Sequence, residues 1–215
     1  MKRLVILISG RGSNMAAILD AVQAGSIDAQ VAAVISNRPD AGGLAIAARH
    51  GVASTVIDHT LSPGREGFER SLRAAIDAPS PDLVVLAGFM RVLSAAFVAR
   101  YEGRMLNIHP SLLPMYPGLG THRRALEDGI KVHGCTVHFV TPEVDRGPIV
   151  AQGAVPVRED DDEASLAARV LEAEHRIFVA AIGWFCAGRL VIEGRRVRVK
   201  DAVGDAGVLL VPALH

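Results

Sequence analysis

The sequence predicts an α/β protein built on a doubly wound, mostly parallel sheet with an antiparallel C-terminal extension. Three observations lead there. Unbroken apolar runs alternate with amphipathic stretches through the first half of the chain, the pattern of strands that helices cover on both faces. From residue 133 the alternation gives way to consecutive strand-like runs. Half of the 215 residues are hydrophobic, enough to bury a substantial core.

The first run, "RLVILIS" (3–9), is a strand that ends in the turn "SGRGSN" (9–14), where Ser13 stands as the N-cap of a helix. Gly25 stops that helix before the strand "VAAVIS" (31–36), and Gly51 stops a second helix that begins near Ala41. The strand "ASTVID" (53–58), a helix from Pro63, the strand "DLVVLAG" (82–88), a helix from Ser94 and the strand "RMLNIH" (104–109) complete the alternation. "HGCTVHFV" (133–140) and "PIVAQGAVPV" (148–157) then read as an antiparallel pair around the loop "TPEVDRG". A long helix from about Asp162 to Ala187 follows, then a hairpin, "RLVIEGRRVRV", with Glu193-Gly194 at its turn. With no linker, repeat or low-complexity segment, residues 1–215 form one domain with a C-terminal extension.

Lysine plus arginine equals aspartate plus glutamate at 23 each, so no sequence-wide field favours nucleic acid. Cys135 and Cys186 lie too far apart in sequence for a disulfide framework or a paired zinc motif. No apolar run reaches a membrane span, and Met1-Lys2-Arg3 leads straight into a strand instead of a cleavable signal. The expectation is a cytoplasmic protein with small-molecule substrates and neither nucleic acid nor membrane as partner. Monomer and homodimer both remain open.

Open parallel sheets bind ligands beyond the carboxyl ends of their strands, where strand order reverses. "SGRGSN", "AGFMRVL" and "NIHPS" all fall at such ends. In "SGRGSN" the glycines let backbone approach an anion, and free N–H groups plus the helix dipole favour a phosphate. The dinucleotide fingerprint needs a glycine where Met15 stands and an acid where Ser36-Asn37 stands, and no lysine fits a P-loop. A monophosphate is therefore expected over NAD or ATP; the alternative is a tight turn that caps a helix and binds nothing.

Asn107 and His109, two residues apart on one strand, leave the same face. An amide N–H and a protonated imidazole suit a carbonyl oxygen that becomes an oxyanion. A histidine stays charged at neutral pH only beside a carboxylate, and Asp145 in "EVDRGP" is the candidate. The alternatives are a structural histidine and a solvated turn aspartate. His133, Cys135 and His138 in "HGCTVH" alternate in facing, so they do not converge on one metal ion without a bulge. His122 starts a short helix after the proline loop, "LAGFMRVL" could line a slot for a flat ligand, and Glu174 and His175 are surface residues by default.

Taken together, "ILISGRGSN", "VLAGFMRVLS", "LNIHPSLLPMYPG", "VHFVTPEVDRGPIVAQ" and "RVLEAEH" resemble the phosphoribosylglycinamide formyltransferase family of purine biosynthesis, in that family's order and spacing. The stretch "NIHPSLLP" is also similar to methionyl-tRNA formyltransferase and formyltetrahydrofolate deformylase, which carry an additional tRNA-binding or regulatory domain. The resemblance implies a Rossmann-like sheet, with a phosphate-binding half over about 1–100 and a folate-binding, catalytic half over about 101–200. It implies transfer of a formyl group from 10-formyltetrahydrofolate to the amine of glycinamide ribonucleotide, without a metal. By this resemblance Asn107, His109 and Asp145 are catalytic, Gly12, Ser13 and Asn14 hold the ribonucleotide phosphate, and Glu174 contacts the ribonucleotide. Arg65, Met90, Arg91, Val92, Leu93, Asn107, Pro142, Glu143 and Val144 contact the folate. Three rivals predict different behaviour: a deformylase needs no ribonucleotide, a binding module tolerates loss of Asn107 and His109, and a dehydrogenase needs the dinucleotide fingerprint.

Overall fold

A computed structural model describes residues 1–202 and Val211; the apolar tail after Asp201 otherwise lies outside the described residues. Among the described residues nine strands form one sheet in the order β3-β2-β1-β4-β5-β6-β7-β9-β8. The parallel part comprises β1 (Lys2–Ile8), β2 (Ala29–Ser36), β3 (Ser54–Val56), β4 (Leu83–Leu86) and β5 (Met105–His109). Strands β6 (Val132–Phe139) and β7 (Ile149–Pro156) run antiparallel beside β5, and the hairpin β8 (Leu190–Glu193), β9 (Arg196–Val199) closes the far edge. Strand order reverses between β1 and β4, which fixes the ligand-binding crevice of such a sheet there.

Because side chains alternate across a strand, β1 feeds two cores. Leu4, Ile6 and Ile8 pack on one face with helices α1 (Ser13–Gln23) and α2 (Gly43–Arg49), and with the long α6 (Glu163–Cys186). Val5 and Leu7 pack on the other with α3 (Gly64–Asp77) and α4 (Ala95–Arg100). A short α5 (Thr121–Glu127) follows the proline loop. Long-helix capping follows the sequence closely: Asp162 accepts from Ser165 N–H in a capping box, and Ser94 caps α4 through Phe97 N–H.

Two expectations need correction. Gly12, not Ser13, is the N-cap of α1; Ser13 is its first helical residue, and no side chain caps this end. Gly12 takes a left-handed φ of 79°, and a Cβ there would sit 2.6 Å from Gly43 Cα, so the turn demands glycine on two counts. Strand β3 spans only Ser54–Val56 of the expected 53–58, with all three residues exposed. Among the described residues it is an edge strand, with nothing beyond it to extend its ladder.

Candidate active site

Antiparallel pairing of β5 with β6 sets Asn107 opposite His138 and His109 opposite Thr136. Directly opposed residues share a face of the sheet, so Asn107, His109 and His138 converge on one side. They line a cavity of about 470 Å³ together with Leu86, Val98 and Val140, under the segments Gly88–Leu93, Gly118–His122 and Thr141–Asp145. Its open end carries exposed apolar side chains, Met90, Val92, Leu119 and Val144.

The histidine and the aspartate of the sequence reading meet here. His109 Nδ1 lies 3.4 Å from Asp145 Oδ2, both side chains being more than nine-tenths buried. The other ring nitrogen, Nε2, sits 2.9 Å from the Tyr116 carbonyl, which can only accept, so Nε2 carries a proton. With a carboxylate facing Nδ1 as well, both ring nitrogens face acceptors. Asp145 is held in turn by the Gly118 N–H at 2.8 Å and adopts a left-handed φ of 55°. Aspartate tolerates that region better than most residues. Gly147 makes the loop possible: a Cβ there would lie 1.7 Å from the Phe139 carbonyl oxygen.

His138 is the residue that the sequence reading weighed only as a metal ligand. Its Nδ1 is 2.9 Å from the Phe139 carbonyl, its Nε2 is 3.1 Å from the Asn107 amide nitrogen, and Asp145 Oδ1 stands 3.8 Å from Nε2. Burial pushes its pKa down, against the hydrogen bond to the Phe139 carbonyl and then the pull of Asp145. A neutral ring that donates through Nδ1 must accept through Nε2, so Asn107 donates to it and keeps its second amide proton for the cavity. The signal lay in strand parity: once β6 pairs with β5, His138 is on the same face as Asn107. Register, which sequence alone does not give, decides it.

His133 faces away, as the alternation predicts. It lies 3.2 Å from His122, and burial first and the neighbouring imidazole second push its pKa down to about 4. The extra residue in the β6–β7 ladder is Val150, on β7, so β6 keeps its alternation and His133, Cys135 and His138 do not share a face.

At the amino end of α1, Gly12, Ser13 and Asn14 form the glycine turn, closed by the Gly43 N–H on the Gly10 carbonyl at 3.0 Å. The first-turn N–H groups of a helix have no partners within it. Asn14 donates to Glu174 Oε2 at 2.6 Å, joining residues 160 positions apart. Glu174 is thus buried in the α1–α6 seam and not on the surface. Burial raises its pKa, opposed by the Asn14 hydrogen bond and then by Arg11. Asn14 Oδ1 is buried and has no protein partner among the described residues.

Met90, Arg91, Val92, Leu93, Pro142, Glu143 and Val144 all line the cavity. Arg65 does not: its Nη2 donates to the Val92 carbonyl at 2.8 Å and its Nε to Glu69 at 3.2 Å. It braces the cavity wall from outside.

Comparison with known proteins bears on this geometry. Residues 2–182 match the formyl transferase family. The chain is 52% identical over 187 residues to the phosphoribosylglycinamide formyltransferase of Escherichia coli (strain K12), covering 87% of this chain and 88% of that one. It is 43% identical to the Haemophilus influenzae enzyme of the same name, covering 94% and 92%. The crystal structure of glycinamide ribonucleotide transformylase 1 from Symbiobacterium toebii superposes with a TM-score of 0.91 at 52% identity, covering 94% of this chain and 95% of that one.

Proposed function

Because the chain belongs to the formyl transferase family, and within it to the phosphoribosylglycinamide formyltransferases, we propose that it formylates the amine of glycinamide ribonucleotide in purine biosynthesis, with 10-formyltetrahydrofolate as donor. The observation that carries this reading is the convergence of Asn107, His109 and Asp145 at one end of an apolar cavity. The cavity suits a flat heterocycle, with apolar walls at its mouth and backbone groups along the Met90–Leu93 segment. The glycine turn suits a phosphate, and the carboxylate of the Asn14–Glu174 pair beside it suits the hydroxyl or amine donors of the same ligand. All three segments lie at the carboxyl ends of β1, β4 and β5, beside the reversal of strand order.

In this mechanism the ribonucleotide amine attacks the formyl carbon, forming a carbon–nitrogen bond while the carbonyl oxygen becomes an oxyanion. Asn107 and protonated His109 donate to that oxygen, in a site where preorganised donors act strongly. Asp145 keeps the imidazole charged and oriented. The attacking nitrogen loses a proton, through water held at Asp145, to the folate nitrogen that departs as the original carbon–nitrogen bond breaks. Formylated ribonucleotide and tetrahydrofolate are the products.

The test is release of deformylated folate with and without the ribonucleotide. Hydrolysis by the same residues would proceed without it.

A further inference from the structure

One side chain spans the point where strand order reverses. Ser9, just beyond β1, is buried, and its hydroxyl donates to Asn37 Oδ1 at 2.5 Å. A hydroxyl has a single proton, so the Ser9 lone pairs are left to face the Met90 N–H, which donates to them at 2.8 Å across the crevice beyond β4. Asn37 is itself buried beyond the end of β2, with its amide nitrogen 3.1 Å from His59 Nδ1.

The segment that receives this contact is pinned at both ends by the buried side chains of Phe89 and Leu93, and is exposed between them. Residues 89–93 follow β4 without regular secondary structure, and the side chains of Met90 and Val92 are 68% and 64% exposed. Among the described residues its backbone is tied at Met90 by Ser9 and at Val92 by Arg65, with Ser94 N–H anchored on Glu69 at 2.7 Å just beyond. Exposed stretches with few buried contacts sit at the low end of local stability, so between those two anchors each backbone tie counts.

We propose that Ser9 is a positioning residue for the formyl donor. Its hydroxyl holds the Met90 N–H across the switch point and so keeps the 89–93 wall in the shape that the donor's heterocycle meets. The inference rests on reading the cavity as the donor site. It also separates Ser9 from its sequence neighbours: Ser9 opens the glycine turn of the ribonucleotide, yet its hydroxyl is committed to Asn37 and Met90.

Two measurements test it. In wild-type protein, the Met90 amide is protected from hydrogen exchange relative to Arg91, and Ser9→Ala removes that protection. In steady-state assays, Ser9→Ala raises the KM for 10-formyltetrahydrofolate about tenfold, the consequence of one lost hydrogen bond, while the KM for the ribonucleotide stays within about twofold. An unprotected Met90 amide in the wild type, an unchanged donor KM, or a parallel rise in both KM values overturns the proposal. If wild-type protein shows no affinity for the folate at all, the reading of the cavity fails instead, and the Met90 amide still reports on the clamp by itself.

Discussion

The amide nitrogen of Asn107 lies 3.1 Å from Nε2 of His138, directly across the β5–β6 ladder. That contact decides which way the amide points. Burial lowers the His138 pKa and its Nδ1 is committed to the Phe139 carbonyl, so Nε2 is a lone pair and Asn107 must turn its N–H groups toward it. Exchanging Asn107 for aspartate sets a carboxylate oxygen against that lone pair. Asn107→Asp is expected to lower kcat by about two to three orders of magnitude, as for loss of an oxyanion donor. His138→Ala, which leaves the amide in place but unoriented, is expected to cost less, about tenfold. A His138→Ala loss equal to that of Asn107→Asp contradicts the orienting role.

His109 Nδ1 and Asp145 Oδ2 lie 3.4 Å apart, so under the proposed mechanism their substitutions should not add. Either His109→Ala or Asp145→Asn is expected to lower kcat about a hundredfold or more, and the double variant to be little worse than the worse single one. Stopped-flow single-turnover rates on all four proteins measure the coupling. Losses that multiply would show the two side chains working independently.

The residue alternation that placed Asn107 and His109 on one face was legible because period two holds along any single strand. Asp145 was legible as a candidate through its glycine-flanked turn. What could not be read was anything set by pairing between distant segments. The place of His138 in the site and the burial of Glu174 depend on which strand or helix lies alongside, and no local pattern encodes that. Arg65 is assigned to the folate by resemblance alone; in the fold its guanidinium spans Glu69 and the Val92 carbonyl, contacts that no local pattern announces. The Gly12 cap was missed because Ser13 has the stronger side-chain propensity, yet the chain needs a left-handed residue there.

Glu174 should trade stability for binding. Its folded-state pKa is raised, chiefly by burial, so the folded protein holds this proton more tightly than the unfolded chain does. Below the ordinary carboxyl value of 4.5 both states are protonated and burial is free of this penalty; as pH rises above it, the unfolded chain ionises more readily and stability falls. Glu174→Gln is therefore expected to raise Tm by about 2–4 °C at pH 7, with the gain shrinking toward pH 4. The same variant should weaken ribonucleotide binding. A stability gain that is independent of pH would show that burial of the charge is not its source.

Gly12→Ala meets both a positive φ of 79° and a Cβ 2.6 Å from Gly43 Cα. Calorimetry is expected to show a loss of roughly 1–3 kcal/mol, and the KM for the ribonucleotide should rise more than that for the folate. Gly25→Ala has an equally left-handed residue but open space around it, so it should destabilise less and leave both KM values alone.

The most direct measurement follows deformylated folate by absorbance as 10-formyltetrahydrofolate is consumed, with and without glycinamide ribonucleotide, in wild-type and His109→Ala protein. The mechanism requires release that depends on the ribonucleotide, formylated ribonucleotide in equal amount, and a rate at least about a hundredfold lower in the variant. Release without the ribonucleotide, or a variant as fast as the wild type, would contradict it.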